Sequence, residues 1–119
     1  MLPSAHRLRE SDHFGHTVRR GVRAGKSTMV VHLGTHHDIP DGPALVGFVV
    51  SKAVGNAVTR NKVKRRLRAI TREHLNLLHP GEVLVVRALP TAATARYELL
   101  ERDYVRLVSM CRHKRGARA

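Results

Sequence analysis

The residues of this chain best equipped for chemistry are cations, not nucleophiles or acid–base pairs. The stretch "SKAVGNAVTRNKVKRRLRAITR", residues 51–72, holds six Lys/Arg among the nine positions from Arg60 to Arg68, and no Asp or Glu falls between Asp41 and Glu73. Same-sign charges this dense repel one another, so the segment calls for a strongly anionic partner. Arg offers bidentate forks and Lys a point charge, and both suit phosphate oxygens. Protein-borne catalysis has no comparable signal: HExxH, GxSxG, a P-loop and a cysteine pair at metal spacing are all absent. His32, His36 and His37 with Asp38 and Asp41 crowd one short segment, but a His-rich loop is normally solvated, and neither a zinc site nor any other metal-ligating residue is expected on the protein. Cys111 stands alone, which rules out an intramolecular disulfide and fits a reducing compartment. It falls on the apolar face of a predicted helix, so a catalytic thiol is not expected.

A helix starting after "GNAV" positions the cations. Gly55 permits a tight turn, Asn56 can cap the helix, and the pattern runs to about Leu78 before Pro80-Gly81 stops it. At 100° per residue, Val63, Leu67, Ile70, His74 and Leu77 form one buried stripe about 40° to either side of Val63. Asn61, Lys64, Arg65, Arg68 and Arg72 fall on the opposite side as a single ridge, with Lys62 and Arg66 on its flank. A merely solvated helical face mixes signs, since Glu placed four residues before Lys supports a helix, and this ridge has no acid in reach before Glu73. Lys52, Gly55, Asn56 and Arg60 surround the helix start, whose exposed N–H groups make a natural phosphate cradle. His74 reads as a boundary histidine with a nearby partner.

Around that helix the pattern predicts a helix over 11–20, with Ser11 as N-cap and Phe14 and Val18 sharing a face, ended by Gly21. Extended structure follows from Val22 to Gly34, then the turn-rich "THHDIPDGP", then "ALVGFVVSK" as the returning strand of a hairpin. In that strand Ala44, Val46, Phe48 and Val50 face one side, and Leu45, Gly47, Val49 and Ser51 the other. "EVLVVRAL" reads as a short buried strand ended by Pro90. Tyr97, Leu100, Tyr104, Leu107, Val108 and Cys111 mark an amphipathic helix over about 92–113, followed by a mobile basic tail at 114–119. The expected fold is one α+β domain over 1–113, a single-domain α/β sandwich of order α-β-β-β-α-β-α.

Composition agrees with a polyanion partner. The 119 residues carry 22 Lys/Arg against nine Asp/Glu, a formal charge of +13 and a pI near 11.5, above the value of about 9 that marks a nucleic-acid footprint. With two Phe, two Tyr and no Trp, the core must be aliphatic. The longest uncharged apolar run, "GPALVGFVVS", is far short of a membrane span, and "MLPSAHRLRE" lacks the apolar centre of a secretion signal, so a cytoplasmic protein is expected. A DNA-binding regulator is disfavoured because the basic helix lacks the short preceding helix of a helix-turn-helix.

The segment "SKAVGNAVTRNKVKRRLR" resembles the RNR signature of the bacterial ribonuclease P protein subunit. The likeness continues in "LPSAHRLRESDHF", Gly21, "LVGFVVSK" and "GEVLVVRALPTA", covering about residues 1–110. It implies a ribosomal protein S5 domain 2-like fold with a left-handed βαβ crossover, although ordinary βαβ units are right-handed. It also implies an accessory subunit of a ribonucleoprotein endoribonuclease, one protein per catalytic RNA, which helps remove the 5′ leader of precursor tRNA. No catalytic residue and no cofactor is then expected on the protein alone, because Mg²⁺ works with the RNA. Contacts to the catalytic RNA fall on Lys52, Gly55, Asn56, Arg60, Asn61, Lys62, Lys64, Arg65, Arg68 and Arg72. A cleft for the single-stranded leader falls on Phe14, Val18, Val30 and His32, where bases would stack. This chain departs from the family at Val18 and His32, where aromatic residues are frequent, and at Ala53, where a second Lys often follows Lys52. The competing reading is a small ribosomal or ribosome-assembly RNA-binding protein, which would need no leader site.

Overall fold

The computed structural model describes residues 11–35 and 42–118, with side-chain surroundings for 16–35 and 42–116. Seven principal elements follow one another: α1 (Ser11–Arg20), β1 (Val22–Gly25), β2 (Met29–Thr35), β3 (Leu45–Val49), α2 (Ala57–Glu73), β4 (Glu82–Ala88) and α3 (Tyr97–Arg118). The order is the expected one. Short 3₁₀ turns at Leu75–Leu77 and Pro90–Ala93 punctuate the second half. The strands form one sheet in the order β1-β2-β4-β3, antiparallel except for the parallel pair β3 and β4.

Alternation along the strands sorts the sheet into two faces. Met29, Val31 and Leu33 of β2, Val46 of β3, and Leu84 and Val86 of β4 join one core with Val63, Leu67 and Ile70 of α2 and Leu100, Tyr104, Leu107 and Cys111 of α3. Each such side chain removed from water contributes about 1.5–3 kcal/mol, so this aliphatic layer dominates the fold. The opposite face carries Val83 and Val85, packed by Leu45 and Val49, and α1 lies against it. The alternation expected over 44–50 holds, with Ala44, Val46, Phe48 and Val50 on the side packed by α2 and α3.

At Gly21, where α1 turns into β1, a Cβ would stand 2.5 Å from the Leu33 carbonyl oxygen and 2.6 Å from that of Thr17. Only a residue without a side chain lets the chain pass so close to β2. Among the described side chains of α1, at 16–20, the buried one is Thr17, against Gly34, while Val18 of the expected apolar face stays 45% exposed.

Three expectations are corrected. The returning strand β3 does not pair with β2: β2 forms its hairpin with β1, and β4 inserts between β2 and β3. The parallel pairing of β3 with β4, joined through α2, is the arrangement the resemblance implied. Helix α2 ends at Glu73, not near Leu78, because His74 leaves helical geometry (φ −121°, ψ 26°) and donates its N–H to both Ile70 and Thr71. The following 3₁₀ turn lets Leu75 and Leu77 pack on the core. Helix α3 begins at Tyr97, after the 3₁₀ turn, and continues through Arg118.

Polar ties hold α3 to the sheet. Glu82, 2% exposed at the start of β4, accepts from Arg112 at 2.5 Å, from Arg115 at 2.7 Å and from the His79 N–H at 2.7 Å. Thr28 donates to the buried Asp103 carboxylate at 2.7 Å, and Lys114 donates to the Arg23 carbonyl at 2.7 Å. The Cys111 thiol is fully buried and points at the Val31 carbonyl, 3.5 Å away.

Candidate nucleic-acid interface

Helix α2 presents its cations as the period predicts. Val63, Leu67 and Ile70 are buried together with Thr71, whose hydroxyl donates to the Leu67 carbonyl at 2.8 Å and can accept from the Tyr104 phenol 3.0 Å away. On the outer side Asn61, Lys64, Arg65, Arg68 and Arg72 surround a recess of about 630 Å³ floored by Ala69. Four cations and one amide line it, with no carboxylate. Ala69, small in a run of long side chains, makes room for the concavity, and its place between Arg65 and Arg72 was the signal that sequence reasoning passed over. Arg66, on the flank, is turned inward and donates to the Ala95 carbonyl at 3.2 Å, so it fastens α2 to the loop before α3.

The helix start is built as expected. Asn56 caps it, its Oδ1 accepting from the Thr59 N–H at 2.9 Å. Gly55 adopts φ +157°, and a Cβ there would press on Thr59 at 2.9 Å. Lys52 is exposed on the turn, with Gly55 N–H donating to its carbonyl at 3.2 Å. Arg60 is half-buried and its Nε finds no protein acceptor. A buried donor without a partner is destabilising by about 1–3 kcal/mol, which a ligand oxygen would relieve. Val58, 78% exposed in the first turn, is an apolar contact that a cation-centred reading misses.

The second surface lies on the α1 side of the sheet. Register places His32 between Arg23 of β1 and Val85 of β4, and Val30 beside Arg87. His32 is 4% exposed and its Nδ1 lacks a partner. Burial, then the positive charges of Arg23 and Arg87, lower its pKa below the ordinary 6.5. Val30 is half-buried and Val18 exposed, so both border open space on this face. Phe14 belongs to α1, and its side chain lies outside the described residues, as do residues 36–41. Arg87 was missed in the sequence, though it is the lone charge in the buried run "VLVVRA" and the one exposed residue of β4.

Comparison with known proteins is decisive at this point. The family model for ribonuclease P matches residues 2–112. The ribonuclease P protein component of a Nocardioides species is 57% identical over 106 residues, covering 89% of this chain and 91% of its own. That of Kocuria rhizophila is 56% identical over 104 residues, covering 87% and 89%.

The chain belongs to the ribonuclease P protein family.

Solved structures agree on the fold. A mutant Staphylococcus aureus ribonuclease P protein superposes with a TM-score of 0.82 at 24% identity, covering 91% of this chain and 89% of that one. The Thermotoga maritima ribonuclease P protein gives 0.72 at 22% identity, covering 84% and 92%. Membership in the ribonuclease P protein family implies partnership with a ribonuclease P RNA and a role in tRNA processing. It displaces the ribosome-assembly alternative. Among the described residues no helix is long and apolar enough to cross a membrane.

Proposed function

We propose that this chain assembles with the catalytic RNA of ribonuclease P through the α2 ridge and the Gly55–Asn56 helix start, and that it grips the 5′ leader of precursor tRNA on the α1 side of the sheet. The observation that carries the reading is the recess of Asn61, Lys64, Arg65, Arg68 and Arg72, which offers donors without a single acceptor carboxylate. Lys52, Lys62 and Arg60 extend that surface, and the unpaired Arg60 Nε is ready for a phosphate oxygen. Such a surface fits phosphates and does not fit Mg²⁺, whose ligands are oxygens. Hydrolysis of the phosphodiester is therefore assigned to metal-activated water in the RNA subunit, and no protein side chain takes part in it. The protein's contribution is to lower the repulsion between two polyanions and to hold the substrate in register.

In the leader cleft, Phe14, Val18, Val30 and His32 supply apolar and stacking surface, with Arg23 and Arg87 as phosphate contacts at its edge. Substitution of frequent aromatics by Val18 and His32 gives a shallower stacking platform, and the neutral imidazole adds a polar atom able to pair with a base edge. One protein per RNA, acting in the cytoplasm, completes the proposal. The test is binding of the purified chain to a bacterial ribonuclease P RNA. Arg65→Glu with Arg68→Glu should weaken binding well over tenfold with unchanged circular dichroism, and Phe14→Ala should instead reduce preference for leader-bearing substrate over mature tRNA. Unchanged assembly would remove the ridge from the interface, and unchanged preference would return Phe14 to a packing role.

A further inference from the structure

Two of the chain's nine acids meet one histidine where α2 ends. His74 Nε2 lies 2.9 Å from Glu101 Oε2 on α3, and Glu73 brings a third ligand atom to the group, all within 4.8 Å of one another. In a protein with 22 Lys/Arg, carboxylates ordinarily pair with cations, as Glu82 does. Among the described residues, however, no Lys or Arg stands within ion-pair distance of Glu73 or Glu101, and Glu101 faces the imidazole instead. The Tyr97 phenol stands near both carboxylates and near Arg72.

Geometry on both sides of the group is fixed. The His74 backbone is held by its bonds to Ile70 and Thr71, and Glu101 is set on the first turns of α3, one residue after the buried Leu100. Metal–ligand distances of about 2.0–2.2 Å put neighbouring ligand atoms roughly 3 Å apart, which the His74–Glu101 pair already satisfies. Glu73 is exposed and can swing in, leaving the remaining coordination positions open to water.

We propose that Glu73, His74 and Glu101 form a binding site for one divalent transition-metal ion of the zinc and cobalt class, which braces the C-terminal end of α2 against α3. One imidazole nitrogen with two carboxylate oxygens suits these ions better than Mg²⁺ or Ca²⁺, which favour all-oxygen sets. The ion takes the place of the 2.9 Å contact between His74 Nε2 and Glu101 Oε2. The site lies next to Arg72, at the end of the cationic recess, but its existence does not depend on RNA binding. It departs from the expectation that the protein has no metal site.

The test uses the full chain with His36→Ala and His37→Ala, so that the His-rich loop cannot contribute. Titration with Co²⁺, followed by visible absorption and by calorimetry, should show one equivalent bound. A hundredfold excess of metal over its Kd should shift the unfolding equilibrium about 100-fold toward the folded state. In the same background Glu73→Gln, an exposed change that leaves the metal-free protein equally stable, should weaken binding at least tenfold, and His74→Gln should abolish the nitrogen-ligand signature. Absence of binding at millimolar Co²⁺ and Zn²⁺, or unchanged affinity in either variant, would overturn the proposal.

Discussion

Replacing Arg65 and Arg68 together with Ala removes two of the four cations lining the α2 recess. Each phosphate contact contributes about 0.7–0.9 to the slope of log K against log salt, so two contacts carry about 1.4–1.8. Between 1 M and 0.1 M salt that slope amounts to a loss of about 25- to 60-fold in affinity for ribonuclease P RNA at the lower concentration, vanishing toward 1 M. Both side chains are exposed, so folding stability should change by no more than about 0.5 kcal/mol. Arg66→Ala supplies the contrast. It breaks the bond to the Ala95 carbonyl and should lower stability by about 1–3 kcal/mol while leaving the salt slope unchanged. Filter binding at five or more salt concentrations, paired with urea melts, reads both quantities. A double variant with the parental slope, or an Arg66 variant with the larger slope change, would refute the division of α2 into a binding ridge and a structural flank.

Glu82→Ala leaves Arg112 and Arg115 facing an empty buried site; because those Arg side chains are 29% and 33% exposed, the expected loss is at the low end of the buried-pair range, about 3 kcal/mol by urea denaturation, and a loss under 1 kcal/mol would deny α3 its anchor. Burial pushes the Cys111 thiol up to about 11, so a disulfide-exchange reagent at pH 8 should label the native protein only as fast as it unfolds, and rapid labelling would contradict the packing. His32 has a folded-state pKa below the ordinary 6.5, so the unfolded chain holds the proton more readily. Stability is then fully present above pH 6.5 and falls as pH drops from there through the lowered value; His32→Gln should flatten that part of the curve, and an unflattened curve would show that another group is responsible.

Much of the site was readable because a helix repeats every 3.6 residues: Val63, Leu67 and Ile70 on one side determine where Lys64, Arg65 and Arg68 must point. Asn56 and Gly55 were equally readable, since capping is a local property. Strand alternation over 44–50 followed from a period of two. Pairing did not, because the rule that consecutive strands neighbour one another favours β2 with β3, and nothing local in "ALVGFVVSK" announces β4 as its parallel partner. The end of α2 was misread because Leu75 and Leu77 continue the apolar period while leaving the helix. Glu82 gave no sign of its role, for its partners Arg112 and Arg115 lie 30 and 33 residues away, one at the end of the expected last helix and one in the expected basic tail.

The proposed role of this protein is to make a catalytic RNA effective on leader-bearing precursor tRNA. Cleavage of precursor tRNA by a bacterial ribonuclease P RNA at low, near-physiological Mg²⁺, with and without the purified chain, tests it most directly. Cleavage at the mature 5′ end should be stimulated, and the stimulation lost when Arg65 and Arg68 are reversed to Glu; binding of the RNA without any added cleavage would overturn the proposed function.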